Sequence, residues 1–162
     1  MRRFGERETF AVEIGPVDRD ASTTQVRTVD LWAAGRRLSC DDNDAFVPAF
    51  CLSVEATITS LLSDDDRSLP DPELSPEENH RRQWEAEYED RSPYRFLNWG
   101  PTTDNLSALL FRRGATAIIT FEFWRESHPR PDELGRVFTC ELPERELLRS
   151  LHQAVCLLRR GE

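Results

Sequence analysis

Three histidines (His80, His128, His152) and four cysteines (Cys40, Cys51, Cys140, Cys156) are the side chains best suited to metal ligation or nucleophilic chemistry. Their spacing points to neither. There is no H-x-H, H-E-x-x-H or C-x-x-C, so a zinc site is not expected. His152 falls at the edge of an apolar helical stripe and reads as structural. Cys51 and Cys156 fall on apolar helical faces, and Cys40 and Cys140 near the ends of strand-like runs. All four read as buried, reduced thiols acting as small hydrophobes, which implies a cytoplasmic, reducing compartment. The seven glycines are accounted for by turns, proline neighbours and the chain ends, which leaves none for G-x-G-x-x-G or a phosphate loop. All 21 basic residues are arginine, so Schiff-base lysine chemistry is excluded as well. No catalytic residue, no cofactor and no metal are predicted.

Three weaker constellations remain. Asp41-Asp42-Asn43-Asp44 gathers carboxylates but lacks the glycine and distal glutamate of a calcium loop, and is expected to lead into a helix. Glu122 lies in the aromatic run Phe121–Trp124; period two places it opposite Phe121 and Phe123, in a solvent-facing or sheet-back position rather than in the core. Asn98 to Asn105 packs polar groups beside a Trp99 that reads as exposed, in what turn chemistry alone would explain. A small enzyme would have to use Glu122 or the Asn98–Asn105 loop.

The elements that would position these groups follow from periodicity. Thr9–Ile14 reads as a first strand, ended by Gly15-Pro16; Val26–Trp32 and Arg36–Cys40 form a hairpin about Ala33-Ala34-Gly35. Val47–Leu62 carries apolar residues at three- and four-residue steps, with Pro48 in the first turn, and predicts a helix. The second half repeats this grammar: strands Leu106–Phe111, Ala115–Arg125 and Arg136–Glu141, then a helix from Pro143 to Arg159. The expectation is one α+β domain over residues 1–162: an antiparallel sheet of about six strands with two amphipathic helices on one face.

Charge is distributed unevenly. Ser63 to Asp90 holds eleven carboxylates against three arginines, a net −8, and the other 134 residues carry −1 of the total −9. Residues 63–91 therefore read as an acidic insert, its first part (Ser63–Leu74) mobile and its second part a helix. Ser75-Pro76-Glu77-Glu78 has the form of a capping box, and Glu77–Arg81 and Glu78–Arg82 are spaced for i, i+4 pairs. His80, Trp84 and Tyr88 would line one edge. A stripe of this kind either rests on its own domain or meets another protein, since Trp and Tyr are frequent interface anchors. The candidate partner-binding residues are Glu77, Glu78, Trp84, Glu85, Glu87 and Tyr88. Deleting the insert is expected to leave the body folded. A near-neutral body offers no overall basic face for nucleic acid, although arginines distant in sequence can still meet in space. No apolar run is long enough to span a membrane, and the residues after Arg2-Arg3 do not form a secretory signal.

This layout, a sheet-and-helix body with an acidic helical face, resembles small bacterial immunity proteins that neutralise a cognate toxin. The resemblance implies a non-enzymatic protein-binding domain whose partner has a basic surface. The alternative is a ligand-binding or regulatory domain.

Overall fold

The computed structural model describes residues 1–17 and 25–161, with Tyr88 described by its backbone alone. The polar turn expected over Asp18–Thr24 lies outside the described residues. The strands are β1 (Arg2–Glu6), β2 (Phe10–Ile14), β3 (Val26–Ala33), β4 (Arg36–Arg37), β5 (Asp44–Phe46), β6 (Leu106–Arg113), β7 (Thr116–Phe123) and β8 (Val137–Pro143). The helices are α1 (Val47–Leu62), α2 (Pro76–Glu85), α3 (Tyr88–Arg91) and α4 (Glu144–Arg160).

The chain is α+β with antiparallel pairing, but the strands divide between two sheets instead of forming one. The first runs β1-β2-β3, with β4 and β5 sharing the far edge of β3; the second runs β6-β7-β8. Strand β1 was not expected. Its Arg2-Arg3-Phe4-Gly5-Glu6 has no apolar alternation because it is a solvated edge, held by backbone pairing to β2. Gly5, at φ +89°, faces the Phe10 carbonyl so closely that no Cβ would fit. The β3–β4 hairpin turns on Ala34 and Gly35, both at positive φ, but β4 stops after two residues. Leu38 then returns a single backbone bond to Leu31.

Helix α1 matches the expected bounds, and α4 begins one residue later than expected because Pro143 ends β8. The acids at Asp41–Asp44 are not the lead-in they resembled: the cap of α1 is Phe46, without a side-chain bond, and Asp44 opens β5. Asp41 is instead clasped by Arg125, which also holds Asp104 at 3.0 Å. Helix α4 lies against β1, β2, β7 and β8, bridging the sheets, and α1 packs chiefly on α4. Arg159 of α4 grips Glu55 of α1 at 2.8 and 3.2 Å. One continuous core joins both helices to the inner faces of both sheets.

Period two along β6 and β7 leaves Leu109, Phe111 and Ile118 pointing away from that core, yet each is fully buried. Residues of the insert, together with Tyr94 just beyond it, cover them. Leu69, Trp84 and Tyr94 pack on this back cluster, and α2 lies across β7 and β8. The stretch Ser63–Leu74, expected to be mobile, is tied down at both ends. The Arg67 carbonyl accepts from Arg112 N–H at 2.7 Å, and the buried Asn79 amide bonds the backbone at Asp71, Leu74 and Ser75. Arg112 itself links the Leu61 carbonyl, the Asp65 carbonyl and Glu144, so the end of α1, the start of the insert and the start of α4 meet at one guanidinium.

The insert therefore acts as the second cover of the β6–β8 sheet, and its removal would expose three large apolar side chains. Phe111→Ala is expected to lower the unfolding free energy by about 3–5 kcal/mol, read from the urea midpoint at unchanged m-value. A loss under about 1 kcal/mol would mean that this face is not sealed.

Candidate partner-binding groove

Helix α2 forms where its capping signals place it. Ser75 accepts from the Glu78 N–H at 3.1 Å, and Glu78 Oε2 accepts from the Ser75 N–H at 2.9 Å. Glu78 is thus committed to the cap, and these bonds hold its carboxyl below the usual range. The i, i+4 pair with Arg82 does not form; Arg82 reaches Asp71 at 3.0 Å instead. The helix ends at Glu85, and Tyr88 starts the separate short helix α3, so the expected continuous helix to Asp90 is broken at Ala86–Glu87.

The aromatic edge of α2 faces the body. His80 is wholly buried, with Nδ1 2.8 Å from the Thr120 hydroxyl of β7. Glu122 sits on the back face as period two required, its carboxylate 4.0 Å from His80 Nε2. Trp84 is half-buried against the back cluster, with the Arg91 guanidinium 4.7 Å from its ring centre. Docking this edge turns the acids outward: Glu78, Glu85, Glu87, Glu89 and Asp90 are exposed and Glu77 is half-exposed.

Trp84 also walls a groove of about 420 Å³ beside the β6 edge. Leu106, Ser107 and Ala108 form part of its lining, Asn98, Thr103 and Asp104 come from the polar loop, and Trp124 stands at the rim, 54% exposed. Two separate candidates, the insert and the Asn98–Asn105 loop, thereby meet. Within the loop, however, Trp99 is not exposed. It lies in the core against Phe10, Phe50 and Phe96, with Nε1 donating to Thr57 at 2.9 Å. A 3₁₀ turn over Gly100–Thr103 folds the loop inward, Thr103 accepting from the Trp99 N–H, while the buried Asn105 donates to the Leu38 carbonyl. Trp124, not Trp99, is the exposed indole.

A second cluster was missed. Cys40 and His128, 88 residues apart, come within 3.5 Å, and His128 Nε2 lies 3.0 Å from Glu133. The sequence carries no local signal for it; only the hint that distant arginines could gather applies, since Arg36, Arg37 and Arg130 surround the cluster. The thiols at Cys51 and Cys140 are buried as expected, the latter pushed up to about 12 by desolvation, but Cys40 and Cys156 are only half-buried. Among the described residues no group of three or more ligands is arranged for a metal ion, and no helix is long and apolar enough to cross a membrane.

Burial without a full set of partners lowers the His80 pKa from 6.5 to about 4, desolvation acting first and the charge of Arg81 second. The folded state then binds fewer protons than the unfolded chain below about pH 6.5. This contribution is complete above that pH, falls as pH drops toward 4, and reaches at most about 3 kcal/mol. Replacing His80 by Gln removes the titration, so the wild-type urea midpoint should fall more steeply than the variant's between pH 7 and 4. Parallel profiles would show that His80 is not held neutral beneath α2.

No protein-family model and no curated protein matches the chain. Among solved structures, CdiI from Burkholderia dolosa AUO158 is similar, with a TM-score of 0.66 at 11% identity, covering 96% of this chain and 99% of that one. Its fold extends over essentially the whole of this chain, insert included.

Proposed function

We propose that this chain is a non-enzymatic protein-binding domain of the immunity type, which neutralises a toxin carrying a basic surface. The observation that carries this reading is the inward docking of α2. It sets Trp84 beside Trp124 at one groove while holding the acids of α2 and α3 toward solvent. A rigid aromatic wall within an acidic field suits a cationic partner: the charges speed encounter and the indoles slow dissociation. The whole-chain likeness to CdiI, a bacterial contact-dependent inhibition immunity protein, supports the same reading. In this reading Glu77, Glu85, Glu87 and Tyr88 remain the proposed contact residues, and Glu78 contributes charge only, since its carboxylate is bound to the cap. A ligand-binding or regulatory domain is the second reading, favoured by a groove volume within the range of small-molecule sites.

The test pairs this chain with the product of the gene directly upstream, in a growth-protection assay and in binding kinetics with the two purified proteins. Protection is expected, with an association rate that falls as salt rises, because exposed charges are screened within about 8 Å at physiological ionic strength. Trp124→Ala should weaken affinity by at least about tenfold with an unchanged melting temperature. Trp84→Ala should lower both, because that indole serves the groove and the back cluster. Wild-type affinity for Trp124→Ala together with a salt-independent association rate would refute the groove as the interface.

A further inference from the structure

We propose that Cys40, His128 and Glu133 form a thiol–disulfide exchange site that takes low-molecular-weight disulfides bearing carboxylates. All three residues line one cavity of about 200 Å³ on the side of β4, together with Trp32, Arg36, Arg37 and Arg130. At roughly 30 Å³ per water, this is room for the reacting half-cystine of a small disulfide, the rest of its arm lying at the mouth, and too little for a nucleotide.

The geometry supplies each part of the reaction. Glu133 is buried, with Arg36 and Arg130 each 3.2 Å from Oε1, so it remains a carboxylate and can only accept. The bond at its other oxygen therefore places the imidazole proton on Nε2 and leaves the Nδ1 lone pair toward Cys40 Sγ, 3.5 Å away. Stacking on Phe123, with ring centres 4.0 Å apart, fixes the imidazole plane. Burial and the Asp41 charge push the Cys40 thiol up, so the sulfur rests as a thiol. Attack is then coupled to proton transfer. His128 takes the thiol proton as Sγ bonds to one sulfur of the disulfide, the original S–S bond breaks, and the departing thiolate takes that proton from His128. Cys40 keeps one half as a mixed disulfide, and a free thiol reverses the step.

Disulfide exchange is favoured over acyl transfer by what surrounds the sulfur. Asn105 Nδ2, 3.3 Å from Sγ, is also bonded to the Leu38 carbonyl and is not free to meet a developing oxyanion. Exchange develops no such charge. Arg36 and Arg130 share the Glu133 carboxylate and Arg37 lies 3.8 Å from Asp30, so the largely exposed Arg130 is the cation at the mouth that meets an anionic arm.

Cys156 is the competing thiol, with His152 at 3.8 Å on the same helix, so the experiment uses the full chain carrying Cys156→Ser. Oxidised glutathione, cystamine and hydroxyethyl disulfide are the probes, read by intact mass and peptide mapping. A single adduct at Cys40 is expected, formed at least about tenfold faster with oxidised glutathione than with cystamine. His128→Asn should slow it at least about tenfold and alter its pH profile. Arg130→Ser, at a side chain 70% exposed, should narrow the charge preference. No adduct at Cys40, an equal or faster reaction with cystamine, or an unchanged charge preference in Arg130→Ser would overturn the proposal.

Discussion

The β6–β8 sheet carries large apolar side chains on both faces, and a three-stranded antiparallel sheet of that kind must be covered twice. Helix α4 and the first sheet supply one cover; Leu109, Phe111 and Ile118 on the other side would stand in water without the insert. That constraint draws an acidic segment, which has little reason to fold alone, onto the body. It also sets the segment's orientation. Once His80 and Trp84 are turned to the sheet, the carboxylates of α2 and α3 have only solvent to face.

In the proposed reading, structure and recognition share the same residues. Trp84 belongs to the back cluster and to the groove, and Asn79 and Arg112 hold the approach to α2 as firmly as a strand is held. The alternative, a tethered helix that orders only upon meeting its partner, would lose free energy of ordering at every encounter. A helix fixed in advance keeps both its charge field and its aromatic wall in place, so affinity does not have to offset that ordering.

Legibility in the sequence followed the strength of the local signal. The step of three and four from Val47 to Leu62 gave α1 to the residue, and Ser75-Pro76-Glu77-Glu78 gave the start of α2, because periodicity and capping are local. Glu122 was placed correctly by period two alone. Strand β1 was silent, since an edge stabilised by backbone pairing needs no apolar alternation. The division into two sheets was equally hidden, as it depends on which strands meet and not on their patterns. Trp99 misled because Gly-Pro-Thr-Thr reads as a surface turn, whereas its threonines bond the loop's own backbone and let the indole turn inward. The Cys40–His128–Glu133 cluster joins residues from distant hairpins and left no trace in spacing.

The claim that the insert is a layer of the fold is tested most directly by amide hydrogen exchange of the free protein. Protection over Pro76–Glu85 should approach that of β7, with both segments opening in one global unfolding event. Exchange of α2 at unfolded-chain rates while β7 stays protected would contradict the account. The acidic helix would then be a tether, and the groove beside Trp84 would not exist before a partner arrives.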